Sequence, residues 1–178
     1  TPLGMVEVDS KFAAFLVNNS EFFKSDETAH ACEHSIEVQI PFLQYLMEDF
    51  KILPICLGSM DMNKLKKIAS ELATAIKKTK RDAVIIASSD MTHYETHESA
   101  KKKDMQAISA ILNMDGEELF ETIRSMNITM CGAAPMAVTL IAAKSLGAKN
   151  AELVDYKTSG DSSGDYSSVV GYGGIIIK

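Results

Sequence analysis

The chain has 178 residues, with 18 Lys+Arg against 24 Asp+Glu for a net charge of −6, and 46% of its residues are hydrophobic. That length and balance fit one globular domain able to bury its own core without a disulfide or a metal. The acidic surplus argues against nucleic acid or an anionic membrane as a partner, and no apolar run approaches the ~18 residues of a membrane-spanning helix.

Taken in chain order, Asp9 is expected to cap a helix over Ser10 to about Asn18, with Phe12, Phe15 and Leu16 on its apolar side. A second helix is predicted from Ser35 to Met47, kinked at Pro41. Lys51–Leu57 reads as a short strand in which Pro54 implies an edge or a bulge. Asp61 caps the clearest helix, running to about Lys80, with Leu65, Ile68, Leu72 and Ile76 on its core face. Ala83–Ser88 is apolar on both faces, as at the centre of a parallel sheet. Helices are then expected over Thr96–Leu112, Glu117–Met126 and Pro135–Leu146, and strands over Ala151–Thr158 and Val169–Ile177. Strands separated by helices of this length predict an α/β fold over residues 1–178, with a mostly parallel central sheet flanked by helices.

Reactive side chains gather in four segments. Ser88-Ser89-Asp90-Met91-Thr92-His93-Tyr94 follows the Ala83–Ser88 strand, and open α/β sheets bind ligands beyond the carboxyl ends of their strands. Asp90 and His93 are three residues apart, so both can point into one cleft. A histidine there serves as acid, base or metal ligand; the plainer reading makes Asp90 a helix cap and His93 a surface residue. Cys131-Gly132-Ala133-Ala134-Pro135 places a thiol just before a helix start, where positive partial charge favours thiolate, a nucleophile or a soft metal ligand. The plainer reading of Cys131 is a small buried hydrophobe in a tight turn. Cys32 and Cys56 are read that way, and with no CxxC pair all three cysteines are expected to be free thiols.

His34, between Glu33 and Glu37, lies at the mouth of a helix, while His30 and His97 are expected to face solvent. Gly160-Asp161-Ser162-Ser163-Gly164 looks like a protease nucleophile segment, but no matching upstream His and Asp segments accompany it. It reads as a flexible loop before the last strand, with Tyr166 a candidate to line the cleft.

Together these segments resemble the Memo family, also called the AmmeMemoRadiSam system B proteins. The matching pieces are Glu33-His34-Ser35-Ile36-Glu37 with Gln39-Ile40-Pro41-Phe42, then Ser88-Ser89-Asp90 with His93-Tyr94. Cys131-Gly132 with Pro135 and Asp165-Tyr166-Ser167-Ser168-Val169-Val170-Gly171-Tyr172 complete the set, in the family's order over the whole chain. The resemblance implies a fold like that of class III extradiol dioxygenases, which use a mononuclear non-haem iron. It implies Cys131 as a metal ligand in place of a carboxylate, His93 at the position of the catalytic base, Asp90 as the adjacent acid, and a cleft role for His34. In the family two further histidine ligands lie upstream of Thr1-Pro2-Leu3-Gly4, so the chain is expected to be the C-terminal part of a longer protein. By the same reasoning iron or copper is expected in the full-length protein, and none bound by these residues alone.

Three functions follow as expectations. The first is a cytoplasmic metal-dependent redox or dioxygenase-like protein acting on a small molecule in the cleft. The second is a non-catalytic adaptor using the same cleft for a phosphopeptide; the four segments offer it histidine but no Arg or Lys. The third is a hydrolase-like use of Cys131 as nucleophile with His93 as base. Ten Met and the high apolar content leave room for a partner surface, including a second copy of the chain.

Overall fold

A computed structural model describes residues 1–178. The first turn of a helix leaves backbone N–H groups without partners, and short acidic side chains fill that role here. The Asp9 carboxylate accepts from Phe12 N at 3.0 Å and starts α1 (Ser10–Asn18). The Asp61 carboxylate accepts from Asn63 N and Lys64 N at 2.9 and 3.2 Å and starts α4 (Met62–Thr79), which closes on Lys80 in the left-handed region. Between them lie α2 (Thr28–Ala31) and α3 (Ile40–Leu46). Thr96 caps α5 (His97–Leu112) and Asp115 caps α6 (Gly116–Met126).

Two apolar clusters share α7 (Ala133–Leu146) as their wall. On one side, Leu65, Ala69, Leu72 and Ile76 of α4 pack with Phe12 and Leu16 of α1 against Ala133, Ala134 and Ala137. The small alanines let the two helices approach closely. On the other, Ile108 and Ile111 of α5, Leu119 of α6 and Leu140 of α7 pack together under the inner face of β4 (Ala151–Thr158) and β5 (Val169–Ile177).

The sheet differs from the expected parallel one. Its order is β3-β5-β4, with β3 (His93–Glu95) and both long strands antiparallel. The only parallel pairing joins β1 (Glu7–Val8) to β2 (Lys51–Ile52). Between β4 and β5 the chain spends residues 159–168, including the single turn α8 (Gly160–Ser163). A parallel crossover needs about a dozen residues or more, so this connection returns the chain antiparallel.

Ala83–Ser88 forms no ladder, and Val84 and Ile86 are 85% and 49% exposed. Ile85 of its apolar run packs onto the α4 cluster. Apolarity on both faces therefore does not mark a central strand in this chain. The predicted strand Lys51–Leu57 pairs through its first two residues alone. The predicted helix Ser35–Met47 begins only at Ile40, after turns over residues 35–39. Pro41 sits in its first turn, where a missing N–H costs nothing, so it starts the helix instead of kinking it. The remaining predicted helices and the two long strands lie where expected, within a residue or two at their ends. No helix is long and apolar enough to cross a membrane.

Candidate functional site

The cleft occupies about 480 Å³ at the end of the Ala83–Ser88 segment, where the turn before α3, the loop before α7 and one face of the β4–β5 ladder meet. Hydrogen bonds fasten its walls together. Ser88 Oγ donates to Ser35 O at 2.7 Å and accepts from Gln39 Nε2 at 3.0 Å, which ties the His34-bearing turn to the end of the Ala83–Ser88 segment. Ser89 Oγ donates to Asp90 O at 2.6 Å and accepts from Gly132 N at 2.8 Å. Asp90 N in turn donates to Cys131 Sγ at 3.2 Å. The two segments singled out on sequence are thus joined side by side.

His93 is held by its neighbours rather than free. Its backbone N donates to Thr129 Oγ1, and its Nδ1 lies 2.7 Å from Thr129 O. A carbonyl oxygen only accepts, so Nδ1 carries a proton and Nε2 is the bare nitrogen of the neutral ring. Tyr94, at φ 58°, bulges β3 between His93 and Glu95, the kind of irregularity that re-aims a side chain beside a site. His93 Nε2 then stands 3.5 Å from Asp90 Oδ2. In the neutral ring these are two acceptors facing each other, an arrangement that a proton or a cation between them stabilises.

Asp90, His93 and Cys131 each offer one ligand atom, all within 4.8 Å of one another. Donors bound at ~2.0–2.3 Å to one tetrahedral ion stand about 3.3–3.8 Å apart, so the side chains must rotate inward to close the set. One carboxylate, one imidazole and one thiol suit a first-row transition metal. The resemblance implied Cys131 as the one ligand in this chain and no metal held by it alone; with Asp90 and His93 beside it, the thiol has two further donors and the set fits a metal without the upstream histidines.

Beneath the site lies Asp104 of α5, fully buried and paired with no cation. Its Oδ1 accepts from Thr92 N at 3.0 Å and its Oδ2 from Tyr156 Oη at 2.8 Å. Burial and that bond to Asp104 push the Tyr156 phenol far above its usual range, so it stays a donor. Thr92 lies between Asp90 and His93, and Gly171 N donates to Thr92 O at 2.9 Å. Asp104 thus fixes the backbone from which Asp90 and His93 project.

Glu95 anchors the far end of β3. Its carboxylate accepts from Lys103 Nζ at 2.6 Å and Ser99 Oγ at 2.5 Å, and these bonds, with Lys103 first, hold it below the usual carboxylate range. Because the folded value is depressed, the stabilisation is present above the unfolded value near ~4.3 and is lost as pH falls through the folded one. Glu95→Gln is expected to flatten the acid limb of the stability profile below about pH 4, by less than about 1 kcal/mol at neutral pH. Urea midpoints of both forms at neutral and acid pH measure it.

The remaining sequence candidates separate. His34 is exposed on the cleft rim. His97 is half-buried rather than solvent-facing, with Nδ1 3.0 Å from Thr158 Oγ1 and its ring edge-on to Tyr166. Tyr166 therefore covers His97 and does not line the cleft. The segment read as a flexible loop holds α8, pinned by Asp161 accepting from Thr158 N at 2.7 Å. Cys32 and Cys56 are exposed rather than buried, and Cys56 Sγ lies 3.4 Å from His30 Nδ1. All three cysteines are free thiols.

Sequence reasoning missed Asp104 and the sheet wall of the cleft, formed by Asp155, Lys157, Gly173 and Gly174 with Tyr172, which entered only as the end of a family segment with no cleft role given to it. Asp155 and Lys157 sit two apart on β4 and so share a face; that alternation, opposite a Gly-Gly pair, was the available signal. Partial burial, followed by the charge of Asp90, raises the Tyr172 phenol above its usual value.

Residues 1–176 match the family model described as Memo-like protein. The chain is 45% identical over its whole length to a MEMO1 family protein of Methanopyrus kandleri, covering 63% of that protein. It is 47% identical to one from Methanobrevibacter smithii, again covering 63%, and 48% identical to one from Archaeoglobus fulgidus, covering 67%. The chain thus spans about 63% of the length of the first two relatives. A match along nearly every residue, joined to close likeness with several archaeal members, means that this chain belongs to the Memo family.

Proposed function

We propose that the cleft is the metal centre of a redox or dioxygenase-like protein acting on a small molecule, with Cys131 as the thiolate ligand beside Asp90 and His93. The observation that carries this is the convergence of the three ligand atoms within 4.8 Å. When bound, iron or copper supplies one-electron chemistry, and a thiolate in the set favours the softer ions. The protein's own residues do the rest. Thr129 O fixes the His93 ring through Nδ1, so that Nε2 is the atom aimed at Asp90, free to bind a metal when one is present and a proton when none is. Asp90 orients that imidazole from 3.5 Å, and His34 contributes a second imidazole at the rim. The antiparallel ladder closes the opposite side.

Equilibrium dialysis against Fe(II), kept anaerobic, and against Cu(I) tests the reading. Cys131→Ser is expected to lower affinity by more than ~100-fold, beyond the ~10–100-fold typical of losing a residue that only supports a ligand. His34→Ala is expected to change it little. Equal metal affinity in wild type and Cys131→Ser would remove the ligand assignment. Phosphotyrosine-peptide binding that ignores both metal and Cys131→Ser would favour the adaptor reading instead.

A further inference from the structure

The sheet wall of the cleft carries a polar pair that the metal set does not use. Lys157 of β4 and Tyr172 of β5 are direct register partners, so their side chains leave the same face about 5 Å apart at Cβ. Lys157 enters none of the chain's ion pairs. The Tyr156 hydroxyl is committed to Asp104, whereas that of Tyr172 has no partner in the chain. Three other donors in the cleft are spent on the scaffold, Ser88 on Ser35 O, Ser89 on Asp90 O and Gln39 on Ser88, while His34 and the Ser35 hydroxyl lie on the opposite wall. Two residues along the same face, Gly174 leaves bare backbone, and a Cβ placed there meets nothing closer than 3.9 Å.

We propose that Lys157 and Tyr172 form a clamp for the carboxylate of a small organic monocarboxylic acid, whose carbon skeleton lies over Gly174 toward Asp90 and Cys131. An ammonium and a phenol on neighbouring strands present two donors to one anionic group, and such charge-assisted bonds are roughly twice as strong as neutral ones. The charge count selects a monoanion over a phosphate dianion. Lys157 is the only Lys or Arg lining the cleft, and Asp155 and Asp90 flank it. A second negative charge on the ligand would meet carboxylates with no further cation to offset them. This assignment rests on the metal reading only in saying which end of the ligand points to the reactive residues.

The test is an NMR titration of metal-free wild-type chain and of Cys131→Ser with three probes: glycolate, ethylene glycol and inorganic phosphate. Glycolate is expected to shift the amides of Lys157, Tyr172 and Gly174 saturably, with ethylene glycol giving no saturable change. Lys157→Met is expected to weaken glycolate by about tenfold, Lys157→Arg by less than about threefold, and Tyr172→Phe by an intermediate factor. Lys157 is exposed, so these variants keep the fold. The clamp is overturned by glycolate that fails to saturate, by equal binding to Lys157→Met, or by Lys157-dependent phosphate binding tighter than glycolate. Glycolate binding that survives in Cys131→Ser while dialysis finds no metal on wild type would fail the metal reading alone. Stoichiometric metal with no Lys157-dependent glycolate binding would fail the clamp alone.

Discussion

Gly132→Ala is expected to lower stability by about 2–3 kcal/mol and to weaken metal binding as well. A Cβ at Gly132 would lie 2.3 Å from Ser89 Cβ, 2.6 Å from Ser89 Oγ and 2.7 Å from Ser88 O. None of these is the loose end of a long side chain. The Ser88–Ser89 backbone must therefore move away from the start of α7. That movement breaks the bond from Gly132 N to Ser89 Oγ and pulls Asp90 N off Cys131 Sγ, so the ligand set spreads. For a chain of this size the stability loss corresponds to a melting temperature lower by roughly 5–10 °C. Gly58→Ala is the control, because nothing lies within 4 Å of its added Cβ. Thermal unfolding and dialysis on the two variants separate local crowding from a general effect of losing a glycine.

Asp104→Ala is expected to be costlier still. It strands the Thr92 N–H and the Tyr156 hydroxyl in the interior, each worth about 1–3 kcal/mol when left unpaired, for a combined loss of about 3–5 kcal/mol. Asp104→Asn keeps one acceptor oxygen and offers Tyr156 a donor, so a smaller loss is expected. Tyr156→Phe with Asp104→Asn in a double-mutant cycle isolates the Tyr156–Asp104 bond. The same carboxylate explains Gly171: a Cβ there would stand 2.0 Å from Asp104 Oδ2, so only the bare backbone of β5 passes beside it. Because Thr92 joins Asp90 to His93, Asp104→Asn is also expected to reduce metal affinity by ~10–100-fold, as for other supports of a ligand set. Urea unfolding and metal dialysis on one preparation read both effects. Affinity untouched by Asp104→Asn would show that Asp104 stabilises the fold without positioning the cleft.

The helices were legible because their caps and apolar spacing are local properties. Asp9 and Asp61 announce the starts of α1 and α4, and Leu65, Ile68, Leu72 and Ile76 recur at helical spacing onto one buried stripe. The sheet was not legible in the same way, because pairing depends on what lies beside a strand. Ala83–Ser88 has the composition of a central strand, yet Val84 stands in the open. β4 and β5 have the right bounds, but their antiparallel sense is set by the short connection that holds α8.

The site divides likewise. Asp90, His93 and Cys131 stood out by residue type and loop position, and the resemblance to the Memo family named them together. Spacing did not reveal that they converge, because that depends on Ser89 joining Gly132 and on Thr129 holding His93. Asp104 sits on the inner face of a helix with nothing in its neighbours to mark it. Lys157 and Tyr172 meet only once the register of the ladder is known.

Cobalt(II) absorption on this chain tests the metal centre most directly, with Cys131→Ser and Cys56→Ser measured alongside. One equivalent of Co(II) is expected to produce the near-ultraviolet charge-transfer band of a cobalt–thiolate bond in wild type and in Cys56→Ser, and to lose it in Cys131→Ser. A chain that binds no cobalt, or whose sulfur band persists unchanged in Cys131→Ser, would contradict a metal held by Cys131 beside Asp90 and His93.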